Sequence, residues 1–249
     1  MRKNNFYLRK ELLVLLSPFS VGDALTVLPR GIHGPCKKVN MPVILVFFLA
    51  SGWSALVYQV VWQRVLFRVY GVDIHATTYV VTAFMLGLGV GSLLGGALSR
   101  RFPMHAIFLF GAFELGIGLF GLLSVSLFEW VARFTAGTSD LFVAGLSFSL
   151  LLLPTLMMGA TLPILTGYAS VRSKNVGRSV SKLYLVNTLG AALGAWSAGH
   201  FLLSTLGLRG SSLVAAVVNL SLAIIVLLLW QRIPMLGKAQ KAEAGSVGS

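Results

Sequence analysis

Residues 83–101 read AFMLGLGVGSLLGGALSRR, an uncharged run closed by two arginines. Two readings compete for it. The glycines belong either to a dinucleotide-binding turn or to a smooth face on a membrane helix. A dinucleotide fingerprint needs GxGxxG at a strand-to-helix turn inside a βαβ unit, and neither the spacing nor the surroundings match. Gly87, Gly91 and Gly95 instead recur every four residues, extended by Ala83 and Ser99, so they share one helix face. In lipid such a stripe lets a second backbone approach closely, which replaces the hydrophobic drive that the bilayer removes. This run is a membrane helix with a packing stripe.

The rest of the chain agrees. Of 249 residues 56% are hydrophobic and 11% charged, with a mean hydropathy of +0.85. Soluble domains carry about 25% charged residues, so a water-soluble surface is out of reach. Five more runs of similar character give six expected spans, at 42–63, 74–98, 104–127, 141–166, 183–206 and 211–231. Each is long enough to cross a hydrocarbon core of roughly 30 Å. A backbone in lipid must satisfy its own hydrogen bonds, so the expected class is an all-α polytopic membrane protein. The expected domains are a basic tail at 1–40, a six-helix domain at 41–232 and a polar tail at 233–249. The first 40 residues hold only a short LLVLL run, too short for a signal peptide core. They are expected to be a disordered tail or translated upstream sequence with the true start at Met41.

The net charge of +13 comes from 20 basic and seven acidic residues. Sixteen of the basic residues fall in the first tail, after the second and fourth spans, or after the sixth; only Arg64, Arg68, Arg133 and Arg209 fall on the other side. The positive-inside bias then places both termini in the cytoplasm, with the bacterial inner membrane as the expected location. The charge serves topology, so nucleic acid is not an expected partner. The single Cys36 excludes an intrachain disulfide, and no Cys/His cluster has metal-ligand spacing. The partner the composition requires is the lipid bilayer.

Glu114 is the sharpest single residue. Counted from Met104 at 1.5 Å per residue, it lies about 15 Å deep, near the bilayer centre. An ionised carboxylate there is costly unless paired or hydrated, so it marks either a cation path or a protonated bridge between helices. Ser54, Thr82 and Thr155 fall at similar depth and are candidate neighbours. The fourth span carries Pro154 and Pro163, which remove intrahelical hydrogen bonds and kink or open the helix. A second small-residue stripe, Ala191, Ala195 and Gly199, beside Gly190, Gly194 and Ala198, is expected to pack the fifth span. In SGWSALVYQVVWQR, residues 51–64, Tyr58, Trp62 and Arg64 read as headgroup anchors. Gln59 fits that less well, because an amide inside hydrocarbon needs a partner; for the whole YQVVWQR cluster anchoring and a packing or pore-lining role both stay open, and Tyr58 and Gln59 join the candidate substrate-binding residues. No Ser/His/Asp set, paired carboxylates or phosphate-cradling loop is visible, so no catalytic residues and no cofactor are expected and the chain is not expected to be an enzyme.

Four blocks, SGWSALVYQVVWQRVL, AFMLGLGVGSLLGG, PTLMMGATLP and LYLVNTLGAALGAWSAG, resemble the membrane region of fused major facilitator/spermidine synthase-like proteins. The resemblance spans roughly residues 44–220. SRRFP after the second span is similar to a major facilitator loop motif, with Ser99 where that motif has Asp. The resemblance implies one six-helix major facilitator half, followed by a soluble aminopropyltransferase-like domain that binds decarboxylated S-adenosylmethionine. The residues after Trp230 are too few for that domain, so a stand-alone membrane component, a truncation or one half of a split system is expected. Two roles follow. One is transport of a polyamine or another small cation past Glu114, which needs a homodimer or a second membrane half to enclose a path. The other is a membrane anchor or scaffold for a soluble synthase-like partner.

Overall fold

The computed structural model describes residues 41–70, 74–135, 137, 140–170 and 175–231, so the two expected tails lie outside the described residues. Within them the chain forms α1 (Met41–Tyr70), α2 (Ile74–Arg101), a 3-10 turn at Pro103–His105, α3 (Ala106–Phe134), α4 (Asp140–Ser170), α5 (Val176–Ser197), a π-helical turn at Ala198–Leu202 and α6 (Leu203–Gln231). No strand occurs among the described residues. Asn175 caps α5, its side chain accepting from the Arg178 backbone N–H at 3.0 Å.

Five helical stretches are long and apolar enough to cross a membrane: Met41–Arg68, Thr77–Arg101, Pro103–Phe134, Phe142–Ala169 and Val176–Trp230. The fifth, of 55 residues, takes in both of the last two expected spans. Where a loop was expected, the helix widens through the π turn and then breaks at Gly207, with φ 66° and ψ −171°. Only glycine adopts that φ cheaply. Residue contacts give the directions on either side. Gly190 and Gly194 of α5 lie against Leu49 and Trp53 of α1, in the same order along both helices. Gly111, Gly118 and Gly121 of α3 meet Leu227, Leu220 and Ser212 of α6, in reverse order. Phe48 and Trp62 of α1 pair with Phe110 and Phe128 of α3, again in the same order. So α5 runs parallel to α1 and α6 antiparallel to it, and the chain reverses between them.

The helices pack through small residues and aromatic rings. A Cβ on Gly87, Gly91 or Gly95 would overlap Thr155, Leu156 or Ala160 of α4, so the α2 stripe is the surface on which α4 rests. On α5 the close approach runs through Gly190 and Gly194, whereas Ala191 and Ala195 are half-buried and Gly199 has open space around it. α4 stays helical through Pro154 and Pro163, and Thr155 Oγ1 donates to the Leu151 carbonyl at 2.9 Å in the turn around the first proline.

Two apolar clusters stack along the bundle. One gathers Phe48, Phe110, Ile164, Leu165, Leu183 and Val226. The other centres on Tyr58, Trp62, Phe84, Ile117, Phe128 and Leu151. On α1, α3 and α6 the residues between these clusters include Ser51, Ser54, Glu114 and Asn219, all buried. The core therefore has a polar layer in its middle.

The stripe yields a direct test. Gly91→Leu should sharply lower folded yield in detergent, because its side chain would collide with the Leu156 backbone, while Leu93→Ile should be tolerated at a site 66% exposed. Equal yields of the two variants would show that α2 and α4 do not meet there.

Candidate functional site

Glu114 sits on α3 with no exposed surface. Ser51 Oγ of α1 donates to its Oε1 at 2.5 Å, and Asn219 Nδ2 of α6 donates to its Oε2 at 2.7 Å. One carboxyl thus joins three helices. The depths agree: at 1.5 Å per residue Ser51 and Glu114, counted from the starts of α1 and α3, and Asn219, counted from the end of antiparallel α6, lie about 12–18 Å from one end of the bundle. Both oxygens have donors, which is what a buried carboxyl group requires.

The surroundings extend this layer without opening it. Ser54 Oγ donates to the Ser51 carbonyl at 2.9 Å and so steadies the turn that presents Ser51. One turn further along α1, Tyr58 stacks on Trp62 with ring centroids 5.1 Å apart, and both rings are fully buried. Trp62 also packs against Phe84, Phe120 and Phe128. The α3–α6 seam continues through Ser212, which donates to the Gly121 carbonyl at 2.7 Å and lies 3.2 Å from Ser124 Oγ. The Tyr58 hydroxyl, Trp62 Nε1 and Asn219 Oδ1 are buried with no hydrogen-bond partner.

These positions answer what depth alone left open. Tyr58 and Trp62 turn inward and form the centre of a core cluster, and of that trio only Arg64 is exposed. Gln59 is half-buried at the edge of α1. Thr82 is exposed, whereas Glu114 is fully buried. Thr155 is buried but serves the α2–α4 contact, where its hydroxyl lies 3.4 Å from the Ala83 carbonyl. The two residues that hold Glu114, Ser51 and Asn219, were not singled out from the sequence. Asn219 had a signal, being the lone amide in LVAAVVNLSLAIIVLLL. Ser51 had none that distinguished it from Ser54. Among the described residues no group of three His, Cys, Asp or Glu side chains could hold a metal ion.

No protein-family model matches the chain, and no solved structure matches it. Curated relatives do. It is 27% identical to polyamine aminopropyltransferase 1 of Streptomyces coelicolor over 74% of this chain and 33% of that protein. Polyamine aminopropyltransferase 2 of the same organism is 26% identical over 77% and 35%, and the Oceanobacillus iheyensis polyamine aminopropyltransferase is 22% identical over 71% and 33%. The chain spans about a third of the length of the curated relatives it matches. The aminopropyltransferase side of the resemblance is thus met by distant similarity, while nothing among these names concerns a major facilitator. They also correct the expectation that the chain is not an enzyme, since all three relatives are named as enzymes. That expectation rested on the lack of a convergent catalytic set, which is weak ground for a chain matching one third of a longer enzyme.

The Glu114 clamp makes opposite predictions for two substitutions. Glu114→Gln should be nearly silent in melting temperature: its oxygen accepts from Ser51, and Asn219 can flip so that its unpartnered Oδ1 accepts from the new amide. Glu114→Ala should destabilise by about 1–3 kcal/mol, because the Ser51 and Asn219 donors lose their acceptor. Thermal unfolding in detergent distinguishes them, and equal losses would contradict the clamp.

Proposed function

We propose that residues 41–231 form the membrane-embedded part of a polyamine aminopropyltransferase-type enzyme and hold that activity at the membrane surface. The observation that carries this reading is the match itself: about three-quarters of an apolar, all-helical chain aligns with three aminopropyltransferases. The alignments leave about two-thirds of those relatives' length outside the match. The bundle crosses the membrane six times, a reading supported by the opposite directions of α5 and α6. Both ends face the cytoplasm of a bacterial inner membrane, as the distribution of Lys and Arg favours. The clamp on Glu114 supports a holding role, since both carboxyl oxygens are occupied by protein donors.

Transport of a polyamine or another small cation past Glu114 is the second reading. One observation favours it, an acid at the centre of the bundle, where such groups often mark ion paths. A homodimer or a second membrane half would then complete the path.

Membrane vesicles from the native host test the first reading. Given decarboxylated S-adenosylmethionine as aminopropyl donor and a diamine as acceptor, inverted vesicles should form the aminopropylated product and release the thioether, right-side-out vesicles should not, and removing the chain should strip the activity from the membrane fraction. Transfer activity that is soluble whether or not the chain is present would end the proposal. Reporter fusions after residues 135 and 175 should report opposite sides; matching sides would contradict six crossings.

A further inference from the structure

At the end of the bundle where α1 and α3 finish, a cleft of about 390 Å³ opens beside Arg68, Glu129 and Arg133. That volume falls within the roughly 300–1,000 Å³ typical of small-ligand sites. Arg209 reaches the rim from α6, two residues after the Gly207 break, and its Nη2 pairs with Glu129 Oε2 at 2.5 Å. Counting Arg209 through its pair with Glu129, three guanidinium groups and one carboxylate gather here, a surplus of two positive charges. Glu129 is engaged by Arg209, and among the described residues Arg68 and Arg133 have no acidic partner. The floor is apolar, made by Val65, Ala132 and Leu208.

We infer that this cleft binds a phosphate-bearing anion, with Arg68 and Arg133 as its principal contacts. Planar guanidinium groups match phosphate oxygens in paired hydrogen bonds, which ammonium groups do not. The Arg209–Glu129 pair engages the one carboxylate of the lining and leaves Arg68 and Arg133, both exposed, without an acidic partner among the described residues. A cation such as a polyamine would meet net repulsion here, so the site is of opposite character to any cation path through Glu114. The apolar floor beside the charge suits a phosphate attached to an apolar remainder, as in a lipid headgroup, and free phosphate shares the same charged chemistry.

The test uses the full chain in neutral detergent, titrated with dioctanoyl phosphatidylglycerol, dioctanoyl phosphatidylcholine and inorganic phosphate, with bound adducts followed by native mass spectrometry. The unaltered chain should bind the phosphatidylglycerol at least about tenfold more tightly than the phosphatidylcholine. Arg68→Gln combined with Arg133→Gln should remove that preference, while Arg178→Gln at the far end of the bundle should leave it intact. Displacement of phosphatidylglycerol by inorganic phosphate assigns the site to free phosphate as well; no displacement assigns it to the lipid headgroup. Should the double variant fail to fold, the salt dependence of the unaltered chain decides, because binding to exposed arginines weakens as salt screens them. Binding that is insensitive to salt, unchanged in the double variant or equally lost in Arg178→Gln would overturn the inference.

Discussion

A carboxyl group inside an apolar bundle must have its oxygens bonded, because water is not there to do it. Glu114 meets that requirement with one donor from α1 and one from α6. The consequence reaches well beyond one residue. For Ser51 and Asn219 to arrive together, three helices must share a depth and present the right faces, so the clamp sets their relative register. The apolar clusters on either side then fill in around it, Phe48 and Phe110 toward one end, Tyr58, Trp62 and Phe128 toward the other. Hydrophobic packing alone does not fix register in lipid, where the surroundings are as apolar as the side chains. A polar layer in the middle does.

The other pairings rely on a different device. α2 lies on α4, and α5 on α1, through glycines whose missing Cβ lets backbones touch. These contacts gain dispersion energy and are tolerant of small shifts along the stripe. The reversal between α5 and α6 has no loop of the ordinary kind: a π turn and one glycine at positive φ carry it. That break also delivers Arg209 to Glu129, so the local backbone and the charge pattern at this end of the bundle are linked.

Much of this was legible in the residues, and what was not has a common cause. Length and apolarity identified the helices, four-residue spacing found the α2 stripe, and a lone acid in an apolar run identified Glu114. Depth can be counted along a helix, but azimuth cannot, since each residue turns by 100° and the facing helices are unknown. Thr82 therefore had the right depth and the wrong face, and Trp62, beside Arg64, had an interfacial setting and a buried ring. On α5 two neighbouring small-residue rows were visible for the same reason, and the one through Gly190 and Gly194 makes the contact. The expectation of a non-enzyme failed on another ground: a missing catalytic set says little about a chain that matches only a third of the length of its enzyme relatives.

The central claim is that Ser51, Glu114 and Asn219 act as one unit, and a double-mutant cycle between Glu114→Ala and Asn219→Ala measures this most directly. Unfolding of the two single variants and the double variant in detergent gives the coupling energy. Interhelical hydrogen bonds in membranes average about 0.6 kcal/mol and reach about 1.7, and a bond to a carboxyl group belongs at the upper end. The account predicts a coupling of about 1–2 kcal/mol, with the double variant clearly less damaged than the sum of the singles. Additivity within about 0.3 kcal/mol would contradict it, because the two residues would then be buried side by side without holding the bundle together.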